Sequence, residues 1–118
     1  MCGIVGARND WLIAQGFVPE VAIAKATREI AWRGPDGQAN RSAGDWWLGC
    51  ARLAISGPRA QQPVALRGGR YVGIMNGAIT NARTLWPALR PGIEARETPP
   101  NDAWLPLLAV ANQNLKAL

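Results

Sequence analysis

Cys2 stands directly behind Met1 and opens a short apolar stretch, Cys2-Gly3-Ile4-Val5-Gly6. Cysteine is small enough for the initiator methionine to be removed, and removal leaves a thiol and a free α-amine on one residue. A thiol titrates near ~8.5 and an α-amine near ~8, so the amine can take the thiol proton close to neutral pH. The pair is a nucleophile with its own base and requires no second side chain. Three other positions could serve such chemistry. Arg52 is a charge in the apolar stretch Leu48-Gly49-Cys50-Ala51-Arg52-Leu53-Ala54-Ile55. It either snorkels to a strand edge or pairs with a structural carboxylate, or it receives a ligand carboxylate in bidentate fashion. Asn76-Gly77 reads either as a tight hairpin turn or as an amide and a backbone N–H aimed at a developing oxyanion. Asp102 reads as a helix N-cap, although Pro106 is awkward for a helix beginning there.

Composition narrows the chemistry further. The 118 residues suit one domain, and the net charge of +5 comes from basic residues scattered without a run of three, which argues against nucleic acid. Two cysteines and no histidine exclude histidine-based triads and most zinc patterns, and a disulfide framework is not indicated. No metal or other cofactor is expected. Neither a signal peptide nor a membrane span is indicated, so the expected compartment is the cytoplasm, where Cys2 stays reduced.

The elements that must position these residues follow in chain order. Cys2–Ala7 reads as a buried strand, ended by Arg8-Asn9-Asp10. Pro19 and Glu20 start a helix with Ile23, Ala26 and Ile30 at helical spacing, which stops by Arg33-Gly34-Pro35-Asp36-Gly37. Asp45–Ile55 is the longest strand expected. Trp46, Leu48, Cys50, Arg52 and Ala54 share one face and Trp47, Gly49, Ala51, Leu53 and Ile55 the other, so it belongs inside a layered fold. Gly57-Pro58 breaks the chain, and Gln61-Gln62-Pro63 lies in a polar segment. Arg70–Met75 is a strand ending at Asn76-Gly77. Asn81–Leu89 is a short helix interrupted by Pro87, Pro91–Pro100 a loop, and Asp102–Leu118 an amphipathic helix burying Trp104, Leu107, Leu108, Ala111 and Leu115. Trp11 and Trp86 are expected to be exposed.

The order of Met1–Gly6, Arg33–Gly37, Leu48–Ile55, Gln62-Pro63, Asn76-Gly77 and Asp102 resembles the glutaminase domain of class II glutamine amidotransferases, in particular that of glutamine-hydrolysing asparagine synthetase. The resemblance spans essentially residues 1–118 and includes no synthetase domain. It implies an α+β fold, a partial or compact αββα sandwich of the N-terminal-nucleophile hydrolases, with stacked antiparallel sheets and outer helices. The family's domain continues beyond the point where this chain stops. By the same resemblance Cys2 is the nucleophile, Asn76 and Gly77 form the oxyanion hole, and Arg52, Leu53 and Asp102 bind substrate glutamine. Arg33, Gly34, Pro35 and Asp36 belong to a loop over the site.

Several positions depart from the family pattern. Ala78 replaces a glutamate that helps hold the substrate ammonium, Cys50 replaces the usual histidine, and Thr80 a frequent tyrosine. Gly57 lies near a common aspartate position. Three readings follow: a glutaminase that supplies ammonia to a separate synthetase-like acceptor protein, an impaired amidotransferase-like binding module, or a truncated fragment without a stable fold. An unsatisfied sheet edge suggests pairing with that partner or with a second copy.

Overall fold

The computed structural model describes residues 2–53, 62–89 and 102–112. Strand β1 (Gly3–Arg8) and strand β2 (Gly37–Ala43) flank the central strand β3 (Trp46–Arg52), and both pairings are antiparallel. The register sets Gly3 opposite Ala51 and Ile4 opposite Cys50, so the two faces expected for β3 are those it presents. β1 is only half-buried, contrary to the expectation of a fully buried strand. Its exposure alternates along the strand, and Ile4 remains 45% exposed.

Helix α1 (Asn9–Ala14) occupies the stretch expected only to end the first strand. Asp10 starts it locally by accepting the Trp11 N–H at 2.8 Å and pairing with Arg8 at 3.1 Å. Helix α2 (Pro19–Glu29) begins as expected, with Pro19 in the first turn where a missing N–H costs nothing. It crosses the β1–β3 face opposite Cys2. Two glycines let it approach: a Cβ at Gly3 would sit 3.0 Å from Ile30 Cδ1, and one at Gly49 would overlap Thr27 Oγ1. The buried Thr27 hydroxyl donates to Ile23 O at 2.7 Å and lies 2.7 Å from the Asn40 carboxamide, joining α2 to β2.

The second layer begins with β4 (Val64–Leu66), which pairs with β5 (Tyr71–Gly73) across a turn at Arg67–Gly69. Gly68 and Gly69 both have positive φ there, which glycine adopts at little cost. Helix α4 (Trp104–Ala111) packs against this pair, and helix α3 (Ala82–Leu89) packs against α4. Leu66, Trp86, Leu89, Leu105 and Leu108 form their core, each fully buried leucine contributing about 1.5–3 kcal/mol. Trp86 is 0% exposed, a correction to its expected exposure, whereas Trp11 is indeed at the surface. Pro87 does not interrupt α3. The carbonyl it leaves without a helical donor belongs to Arg83, and both residues face solvent.

α4 starts at Trp104, so Pro106 lies in its first turn, where its N–H would have had no helical partner anyway. Its deepest residues are Leu105, Leu108, Ala109 and Ala111, more than one stripe, because α3 and the β4–β5 pair cover it from different sides. The Asn112 amide closes this layer by donating to Leu89 O at 2.7 Å. The molecule is thus α+β, with antiparallel sheets and packed helices, consistent with a partial sandwich of the expected kind. Ala54, Ile55, Gly57-Pro58, the Pro91–Pro100 loop and Leu115 lie outside the described residues.

Candidate functional site

Cys2 sits one residue before β1, on the sheet face opposite α2. Its Sγ accepts the Leu53 N–H at 3.4 Å and lies 3.8 Å from Leu53 O. Continuing the β1–β3 register by one residue sets Cys2 opposite Arg52, with Cys50 beside it on the same face. Burial pushes the Cys50 thiol up to about 11, the charge of Cys2 and a hydrogen bond with it push the same way, and Arg52 pulls down. Cys50 is therefore a neutral thiol near pH 7, able to donate its S–H to the Cys2 sulfur. The half-buried nucleophile candidate thus has a backbone N–H and a thiol around its sulfur.

Arg52 is 9% exposed, so it does not snorkel to solvent. The Arg33–Asp36 segment is pressed against it. A Cβ at Gly34 would overlap Ala51 O and the Arg52 carbonyl carbon, and the Asp36 N–H donates to Arg52 O at 2.9 Å. This is a close approach that only glycine permits. Pro35 and Asp36 are exposed beyond it, and the Arg33 guanidinium lies over the exposed Trp32 ring, 5.3 Å from its centroid. Cys2, Leu53, Arg52 and the Arg33–Asp36 loop therefore meet at one end of the three-stranded sheet.

Asn76, Gly77 and Asp102 belong to the second layer. The hairpin reading of Asn76-Gly77 fails, because the chain runs from the exposed turn into α3 rather than into a returning strand. The N-cap reading of Asp102 fails too: Ala103 holds the cap position and no side chain caps the helix. Asp102 Oδ2 instead accepts the Ile79 N–H at 2.6 Å. On the near side of the same turn, the buried Gln62 carboxamide oxygen accepts the Met75 N–H at 2.6 Å. Residue type alone assigns no role to Gln62-Pro63, a cis peptide bond. A glutamine beside proline at the edge of a strand was the available signal.

A polar groove between β2 and Gly68-Gly69 contains none of these residues. Among the described residues, no group of three or more Cys, Asp and Glu side chains is arranged to hold a metal ion, and no helix is long and apolar enough to cross a membrane.

No curated protein and no solved structure shows a match to this chain. A family model, glutamine amidotransferase domain, matches residues 1–99, a span that contains Cys2, the loop at Arg33–Asp36, Arg52, Leu53 and Asn76-Gly77 but not Asp102. With most of its length covered by that match, the chain belongs to the glutamine amidotransferase domain family.

Proposed function

We propose that the chain is a class II glutaminase with an N-terminal cysteine nucleophile, close to the glutaminase domain of asparagine synthetase. The observation that carries the reading is Cys2 Sγ held at the Leu53 N–H, on the sheet face that also bears Arg52, in a chain of the glutamine amidotransferase domain family. With Met1 removed, the Cys2 amine takes the thiol proton and the thiolate attacks the glutamine side-chain carbonyl carbon. The negative charge passes to the carbonyl oxygen, which Asn76 and Gly77 N–H stabilise; losing one such donor typically costs about 3 kcal/mol. The amine returns the proton to the departing ammonia, leaving a thioester. Water then adds to it and releases glutamate and the free thiol.

Arg52 binds the substrate α-carboxylate, Leu53 lines the same end, and Asp102 takes the ammonium. The ammonia serves a synthetase-like acceptor in the reducing cytoplasm. A second reading, an impaired amidotransferase-like binding module, is favoured by one observation: the exposed position after Asn76-Gly77 is Ala78, where the family pattern has an acid. Glutamate release by Met-processed protein tests both. Activity that disappears in Cys2→Ala supports the enzyme, and an Ala78→Glu variant then shows a lower KM at similar kcat. No release above the Cys2→Ala control, with the acceptor present, supports the binding module.

A further inference from the structure

We propose that Gln62 and Asp102 are positioning residues for the turn at Asn76-Gly77, holding its backbone from both sides through the Met75 and Ile79 N–H groups. The inference rests on the reading of that turn as the source of the oxyanion donors.

Three observations carry it. The β4–β5 ladder stops at Val64 opposite Gly73, and the turn beyond is exposed and followed by a helix rather than a pairing strand. The ladder therefore gives Asn76 and Gly77 no support of their own. Continued by two residues, the same register sets Gln62 opposite Met75. The Gln62 side-chain oxygen thus takes over the work of a ladder carbonyl at the point where the strand has ended, accepting the Met75 N–H at 2.6 Å. Four residues further on, Asp102 Oδ2 accepts the Ile79 N–H at the same distance. Asp102 is carried by the start of α4, where its backbone O accepts the Leu105 N–H at 3.1 Å, and α4 is anchored by Leu105 and Leu108, both 0% exposed.

Residues 76–78 are consequently strung between two fixed points. Oxyanion donors act through preorganisation, since they must already point at the place where charge develops. An exposed three-residue turn without such anchors would have to be ordered again in every transition state. A carboxylate has two oxygens, so Asp102 can hold Ile79 with one and meet the substrate ammonium with the other, which couples substrate binding to the placement of the turn.

The test uses Met-processed full chain, steady-state glutaminase kinetics and backbone amide exchange. Gln62→Met removes the acceptor at similar volume. It is expected to lower kcat by about 10-fold, a fraction of the 10²–10³-fold lost with a whole donor, to leave KM for glutamine nearly unchanged, and to speed exchange at Met75 and Gly77. Gln62→Glu keeps an acceptor and should restore kcat. Asp102→Asn keeps a carbonyl acceptor but loses the charge, so it raises KM alone. Asp102→Leu lowers kcat as well, and it supplies the decisive comparison if Gln62→Met does not fold. Wild-type kcat with unchanged Met75 exchange in Gln62→Met, or identical kcat in Asp102→Asn and Asp102→Leu, overturns the proposal. Asn76→Ala separates the two readings: if it leaves kcat intact while Gln62→Met still accelerates Met75 exchange, the oxyanion assignment has failed. The two side chains then tether the turn without a catalytic consequence, and their positioning role falls with it.

Discussion

Residues 2–53 hold their candidate site residues through backbone, whereas residues 62–89 and 102–112 hold theirs through side chains. In the first region Cys2 and Arg52 are placed by a continuous β1–β3 ladder, and the Arg33–Asp36 loop by Gly34 lying flat on Ala51 and Arg52. In the second, two three-residue strands end before Asn76 is reached, and Gln62 and Asp102 complete the support. A ladder constrains every residue along it, which suits the proposed nucleophile, whose position must be reproducible. Side-chain tethers constrain only the points they touch, so the short turn at Asn76-Gly77 is held while it stays exposed. The difference also shows in packing. α2 sits close against the sheet through Gly3 and Gly49, while the second region is filled by Trp86 and leucines.

Breaking the second region's core should have the largest effect. Trp86→Ala removes a fully buried indole and is expected to cost about 3–5 kcal/mol, read as a lower urea midpoint. Amide exchange shows how far the damage spreads. Protection lost in β4, β5, α3 and α4 but kept in β1 and β3 would mean the regions are separate cooperative units, and equal loss in both would make them one.

A smaller effect is expected where the first region is tightest. Gly34→Ala places a methyl onto the Ala51 carbonyl and should cost about 1–3 kcal/mol, in the range of overpacking. Gly37→Ala, where nothing lies within 4 Å of the added carbon, should be nearly neutral. Equal urea midpoints for the two variants would mean that close packing of the loop on Arg52 is not what fixes it.

The smallest effect is a pH dependence confined to the first region. The folded Cys50 thiol is pushed from its ordinary 9.0 up to about 11, chiefly by burial. A thiol raised in the folded state holds its proton where the unfolded chain has lost it. Its contribution to stability is therefore complete below pH 9 and declines as pH rises from there toward 11. The urea midpoint should fall across that window, and Cys50→Ala should flatten the fall. An unchanged slope in Cys50→Ala would remove the buried thiol as its cause.

Much of the first region was legible in the sequence because its signals are local. Pro19 and the spacing of Ile23, Ala26 and Ile30 set α2, and the two-faced alternation from Trp46 to Arg52 set a central strand with Cys50 and Arg52 on one side. β2 was not legible. Its run Gln38-Ala39-Asn40-Arg41-Ser42 carries no apolar stripe, and it is a strand because β3 offers it a ladder. In the second region, Asn76-Gly77 has the composition of a hairpin turn, and only the path into α3 shows that it is not one. Trp86 is buried for a related reason, since its cover comes from α4, which starts eighteen residues further along the chain.

The sequence by itself determined the candidate reactive group and its order among the motifs: a cysteine behind the initiator methionine, an arginine in an apolar strand, an Asn-Gly pair and a distant aspartate. Residue type and short-range periodicity are properties of the chain, and they survive without a fold. Tertiary structure decided which of these groups meet. It brought the Cys2 sulfur to the Leu53 N–H and Cys50 to the side of Cys2, and it turned Asp102 from a helix cap into a tether for Ile79. Those contacts join residues 23 to 51 positions apart, and local propensity carries no information over such a span, because the partner is chosen by how distant strands and helices come together.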